Sequence, residues 1–192
     1  MSIKAIFGLG NPGDRYLNTR HNIGFKFINA LKASSSEVLG KKVKLRSQIF
    51  SCRVQESTVL LVKPQTYMNL SGESVQAVMN FYKLSLDEIC IVADDIDIDF
   101  AAIRVRKKGG AGTHNGLKSI IKCVGSSEFL RVRIGIGSPP SEVGLSDFVL
   151  QDFKKAEQIN LDDMLSKTSN IFLENLNASK DILLNKLNSY QR

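Results

Sequence analysis

The 192-residue sequence is poor in the residues that build metal and disulfide sites. It holds three cysteines, Cys52, Cys90 and Cys123, an odd number with no C-x-x-C pair. That argues against a disulfide framework and predicts buried free thiols in a reducing cytoplasm. There are two histidines, His21 and His114, too few for a zinc site built on His and Cys. No run of 18 apolar residues occurs, so neither a membrane span nor a membrane partner is expected. The apolar stretch in MSIKAIFGLGNPG is too short for a secretory signal and lacks a small-residue cleavage site. No G-x-S-x-G elbow is present, so a serine nucleophile has no support.

What is present is positive charge, and it is focused. Lys and Arg number 26 against 19 Asp and Glu, a net charge of +7. Residues 104–133 contain Arg104, Arg106, Lys107, Lys108, Lys118, Lys122, Arg131 and Arg133, opposed only by Glu128. Eight basic residues against one acidic carry the entire +7, and the rest of the chain is balanced. Charge concentrated in this way points to a polyanionic partner, with nucleic acid favoured over a membrane surface.

Length and a 43% hydrophobic content suit one domain with a real core. Apolar runs predict short strands at Ile3–Phe7, Ile49–Val54, Val59–Val62, Ile89–Ala93, Ile103–Val105 and Val132–Ile136. Helical spacing predicts helices over Phe25–Leu31, Ser71–Leu84 and Leu117–Val124, with Ser71 as an N-cap, and two more after Pro139-Pro140. Loops are expected at Ser34–Ser36 and Gly135–Gly144, and an amphipathic helix in the tail Asn175–Arg192. The expected fold is α/β: a single domain, 1–192, with a mixed, mostly parallel twisted sheet flanked by helices and a C-terminal helical part from about 151.

Five motifs stand out. Gly8-Leu9-Gly10-Asn11-Pro12-Gly13 matches the dinucleotide fingerprint G-x-G-x-x-G. That fingerprint needs a helix opening at the third glycine and an acidic residue at a later strand end. Pro12-Gly13-Asp14 reads instead as a turn, and Glu37 falls in a Ser-rich loop. The better reading is a strand-end loop whose glycines let the backbone approach a ligand, with Asn11 projecting into a cleft. Thr19-Arg20-His21-Asn22 places His21 at a helix start on the same sheet edge, where it is either structural or a general base. Asp94-Asp95-Ile96-Asp97-Ile98-Asp99 ends a strand. It can be a solvated acidic turn, a divalent-metal site, or the source of a carboxylate, Asp94, that orients His21. Tyr67-Met68-Asn69-Leu70-Ser71-Gly72 leads into a helix, with Leu70 as core and Asn69 able to pair with a peptide-like group. Gly109-Gly110-Ala111-Gly112-Thr113-His114-Asn115-Gly116 lies between Arg106-Lys107-Lys108 and a helix bearing Lys118 and Lys122. Glycines, cations and a helix N-terminus suit an anion, and Arg106 and Arg133 could grip a phosphate as a fork. The missing G-K-[ST] ending argues against an NTPase.

Taken together, these segments, with Tyr16 and Arg131-Val132-Arg133-Ile134-Gly135-Ile136-Gly137, resemble bacterial-type peptidyl-tRNA hydrolases from Ile3 to about Phe153. The resemblance implies hydrolysis of the ester joining a peptide to the 3′ end of tRNA, by a cytoplasmic monomer with no metal or other cofactor. It implies His21 as general base, Asp94 as its orienting carboxylate, and Asn11 as a residue recognising the N-blocked aminoacyl group. Asn69 and Asn115 would hold the peptide and the attacking water. Tyr16, Tyr67 and Met68 would line the cleft, and His114 would stand with Asn115 against substrate. Arg106, Lys107, Lys108, Lys118, Lys122 and Arg133 would face the phosphates of the tRNA acceptor arm. Ala93, Phe100-Ala101 and Thr113 depart from the family's usual His and glycines. The alternative is a non-catalytic RNA-binding protein on the same fold.

Overall fold

A computed structural model describes residues 3–190. Among them a seven-stranded sheet runs in the order β2-β3-β4-β1-β5-β7-β6. The strands are β1 (Ala5–Gly8), β2 (Glu37–Lys44), β3 (Ser47–Val54), β4 (Ser57–Pro64), β5 (Ile89–Asp95), β6 (Ile103–Arg106) and β7 (Leu130–Gly135). The central β4, β1, β5 and β7 are parallel, while β2, β3 and β6 run antiparallel to their neighbours. All seven residues of β5 are buried, which is why that strand is a continuous apolar run until its last two positions, Asp94 and Asp95.

Helices cover both faces. On one face α1 (Ile23–Ser34), α5 (Lys155–Glu174) and α6 (Lys180–Asn188) pack over Ile6, Leu61, Val92 and Val132. On the other, α2 (Ser71–Tyr82) and α3 (Asn115–Val124) enclose Phe7, Val62, Ile91 and Phe129. A short α4 (Leu145–Val149) interrupts the segment between β7 and α5. The edge strand β6 is protected by α6: Asn188 Oδ1 accepts from the Val105 N–H at 2.7 Å, and its Nδ2 donates back to the Val105 carbonyl at 3.2 Å.

Several expectations need correction. Glu37 opens β2 and is not in a loop. That strand carries Lys41, Lys42 and Lys44 and is mostly exposed, so it shows no buried alternation. Ser71 is the first residue of α2 and not its cap; its hydroxyl donates to the Met68 carbonyl. Leu70 is 41% exposed, because the turn at Met68–Leu70 points it outward. Of the cysteines, Cys52 and Cys90 are buried, but Cys123, near the end of α3, is partly exposed. Three helices follow Pro140, since α4 was too short to register as a pattern. The tail helix ends at Asn188; Gln191 and Arg192 lie outside the described residues.

Gly8 and Gly10 are required by packing. A Cβ on Gly8 would sit 2.2 Å from the Gly24 carbonyl oxygen, and one on Gly24 would sit 2.4 Å from the Leu9 backbone. A Cβ on Gly10 would meet the Phe25 ring at 2.8 Å. Backbone touches backbone here, and α1 is thereby seated against the end of β1. Gly24→Ala must push the two apart and should cost about 1–3 kcal/mol or more. Urea unfolding would show this as a lower midpoint at unchanged slope.

Candidate active site

The loop after β1, the turn before α1, the end of β5 and the start of α3 converge at the carboxyl edge of the parallel strands, where open α/β sheets bind ligands. His21 lies in a 3-10 turn, Arg20–Asn22, that leads directly into α1. Asn22 fixes this turn to the β1 loop. Its Oδ1 accepts from the Asn11 N–H at 2.8 Å, and its Nδ2 donates to the Asn11 carbonyl at 3.0 Å.

His21 Nδ1 lies 2.8 Å from Asp94 Oδ1. His114 Nε2 lies 3.0 Å from the same oxygen. All three side chains are largely shielded from solvent, with Asp94 at 4% exposure. The tautomers follow from the surrounding donors. His114 caps α3, and its Nδ1 accepts from the Gly116 and Leu117 N–H groups at 3.1 and 3.2 Å. Its ring proton therefore sits on Nε2 and is donated to Asp94. An ionised Asp94 can only accept, so His21 donates from Nδ1 and keeps the lone pair of Nε2 free. His21 Nε2 has no hydrogen-bond partner among the described residues.

Burial pushes the Asp94 carboxyl up, but His114, His21 and the hydrogen bonds from both rings outweigh it and hold the group well below the usual carboxylate range. Asp95 lines the same cleft but has other partners. It pairs with Arg133, and its Oδ1 accepts from the Asp97 N–H at 2.9 Å. Asp97 and Asp99 are exposed. The acidic turn is thus not one carboxylate cluster. Among the described residues, the grouping with metal-ligand spacing is His21, Asp94 and His114, whose donor atoms lie within 4.8 Å of one another. A divalent ion there would have to displace both ring protons from Asp94 Oδ1.

Asn11 is 7% exposed, and its Oδ1 accepts from the Met68 N–H at 2.8 Å. Its Nδ2 makes no hydrogen bond among the described residues and is left as a donor, although Asn11 is not on the wall of the cleft that His21 lines. Met68 is buried against the start of α3, where a Cβ on Gly116 would meet its sulfur at 2.6 Å. Tyr16 and Tyr67 pack edge to face with centroids 6.4 Å apart, and Tyr67 is 53% exposed. Asn69 is exposed and makes no hydrogen bond among the described residues, while Asn115 opens α3 on the cleft wall.

One continuous cleft joins His21, Asp94, His114 and Asn115 to Arg106, Lys108, Arg133 and the Gly109–Gly112 loop. The basic residues divide there. Lys107 turns away to pair with Asp181 of α6, and Lys118 and Lys122 stand exposed on α3, outside the cleft wall. Arg133 shares its charge with Asp95, so the proposed Arg106–Arg133 fork is partly neutralised on one prong. The sequence reading counted Arg131 but gave it no role at the site, and missed the α4 wall of Leu145, Ser146 and Val149. Arg131 is 2% exposed and donates to the Gly110 and Ser127 carbonyls at 2.9 Å each, which ties down the glycine loop. Its two-residue spacing from Arg133 on β7 was the available signal.

The peptidyl-tRNA hydrolase family model matches residues 5–192. The chain belongs to the peptidyl-tRNA hydrolase family. It is 40% identical over 186 residues to the peptidyl-tRNA hydrolase of Exiguobacterium sibiricum, covering 97% of this chain and 100% of that protein. It is 45% identical over 167 residues to that of Brevibacillus brevis, covering 85% and 86%. The crystal structure of peptidyl-tRNA hydrolase from Acinetobacter baumannii superposes with a TM-score of 0.90 at 34% identity, over 98% of this chain and 96% of that one. The protein is accordingly an enzyme that hydrolyses peptidyl-tRNA. The single-domain fold, with its mixed and mostly parallel sheet, is as expected. Nothing favours the non-catalytic alternative. No helix among the described residues is long and apolar enough to cross a membrane.

Proposed function

We propose that this peptidyl-tRNA hydrolase cleaves the ester to the 3′ ribose by direct attack of water, with His21 as general base. The carrying observation is the His21–Asp94 hydrogen bond at 2.8 Å, which leaves Nε2 open on the cleft. Nε2 takes a proton from water as its oxygen attacks the ester carbonyl. The tetrahedral intermediate collapses with release of the ribose oxygen, which His21 reprotonates. Asp94 holds the ring and stabilises the imidazolium. The Gly116 and Leu117 N–H groups of α3 are already taken by His114, and side-chain amides supply the oxyanion contact, with Asn11 Nδ2 and Asn115 as the donors. Asn69 and the Tyr16–Tyr67 pair face the peptide and the terminal nucleotide. Membership of the family supports a cytoplasmic monomer that works without a metal.

Release of tRNA from N-acetyl-aminoacyl-tRNA, beside the unblocked aminoacyl-tRNA, tests this reading. Rapid release from the first and little from the second is expected; equal rates would remove Asn11 as the reader of the blocked amine.

Arg106, Lys108 and Arg133 face the phosphates of the acceptor arm. Neutralising about three phosphates makes log K fall with log salt at a slope of roughly −2 to −3. Arg106→Ala should flatten that slope by about 1 and leave cleavage of a small N-acyl ester unchanged. Arg133→Ala should weaken binding more, because Asp95 is then left without its cation. A salt titration of tRNA affinity that stays flat for the parent protein would refute the assignment.

A further inference from the structure

Arg20, the neighbour of His21, is a heavily engaged side chain that the scheme above leaves unused. It is 4% exposed. Its Nη2 donates to both Glu157 oxygens, at 3.1 and 2.9 Å. Glu157 stands in the first turn of α5 and also accepts from the Lys154 N–H. The guanidinium carbon lies 4.7 Å from the Phe148 ring centroid and 4.9 Å from that of Phe153. Phe148 belongs to α4, whose Leu145, Ser146 and Val149 form one wall of the cleft. The backbones are tied as well. The Arg20 N–H donates to the Gln151 carbonyl at 2.9 Å, and Thr19 bridges to Asp152.

This arrangement is costly. Arg20 Nε and Nη1 are buried with no hydrogen-bond partner. An aliphatic side chain could fill the space without burying unsatisfied donors. It could not grip a carboxylate and two ring faces at once, which needs a planar cation. We propose that Arg20 is a positioning residue. It latches α4 and the start of α5 onto the turn that carries His21, and so holds the α4 wall in place over the bound 3′ end of the substrate. Without the latch, the stretch from Ile136 to Lys154 has only the five residues of α4 as regular structure.

The test is hydrogen exchange and steady-state kinetics on the full chain. In Arg20→Gln, amides of 145–153 should exchange about tenfold faster or more, while those of β1 and β5 keep their protection. KM for N-acetyl-aminoacyl-tRNA should rise by roughly tenfold with kcat nearly unchanged, and Glu157→Gln should do the same more weakly. Arg20→Lys should not restore protection, because an ammonium cannot span Glu157 and both rings. Unchanged exchange at 145–153, or full rescue by Arg20→Lys, overturns the latch. Exchange that quickens everywhere, or a loss in kcat alone, also overturns it, since Arg20 would then serve global stability or His21 itself. If Arg20→Gln does not fold, Phe148→Leu supplies the same readouts, because it keeps an apolar filler and removes one ring. The kinetic arm rests on the hydrolase reading and the exchange arm does not, so the two can fail separately.

Discussion

His21→Ala should lose about 10²–10⁴-fold in single-turnover release of tRNA from N-acetyl-aminoacyl-tRNA, the usual worth of a positioned general base. Binding of the same substrate should persist. The cations of the cleft come from β6, from Lys108 just before the Gly109–Gly112 loop, and from β7, none of which depends on the His21 ring. The fold should persist too. The turn carrying His21 is held by Asn22 on the β1 loop, so the imidazole itself supports little structure. Asp94 also retains His114 as a donor in the variant. The measurement is therefore a rate at saturating enzyme, with tRNA affinity and the unfolding midpoint as controls. A variant that binds, folds and still releases tRNA within a factor of a few would show that water is activated elsewhere.

How much of this was legible in the sequence varies with the physics behind each residue. β5 was readable because a strand buried on both faces must be apolar throughout, and its two terminal carboxylates then mark the sheet edge. The place of His21 and Asn11 at the sheet edge was readable from the helix and strand beside them, but their roles came only from the family resemblance. β2 was not, because an exposed edge strand is written in lysines and lacks the alternation that betrays a buried face. His114 was placed at the site, but its contact with Asp94 was not foreseen. The capping position before α3 turns its Nδ1 onto the helix N–H groups and its Nε2 onto Asp94, and histidine is not among the usual caps. Arg20 and Arg131 are harder still. Nothing in a sequence says that an arginine is buried, because the carbonyls, rings and carboxylate that receive it come from segments far along the chain. The glycines of the first loop were seen, but their cause was tertiary. Gly8 is required by its contact with Gly24 on α1.

Asp94→Asn separates orientation from charge, and should lower turnover on peptidyl-tRNA by at least 10²-fold. Two amide orientations are open to the variant. If the amide oxygen keeps the Oδ1 position, both rings still donate to it and the geometry survives, but the negative charge that stabilises the His21 imidazolium is gone. If the amide nitrogen takes that position, it confronts two N–H donors. His114 cannot respond, because its Nδ1 is committed to the α3 backbone. His21 can, by moving its proton to Nε2, and that consumes the lone pair needed to take a proton from water. Either route impairs the base while leaving tRNA binding intact. Stability supplies an independent reading of the same carboxylate. A carboxyl held below its unfolded value stabilises the fold at pH above roughly 4, and that contribution is lost as pH falls through the folded value. Asparagine has no such titration, so the acid limb of the unfolding midpoint against pH should be shallower in the variant. Near-parental turnover at neutral pH would remove Asp94 from the mechanism. An unchanged acid limb would mean instead that its charge is not coupled to the two rings in the way their shared oxygen requires.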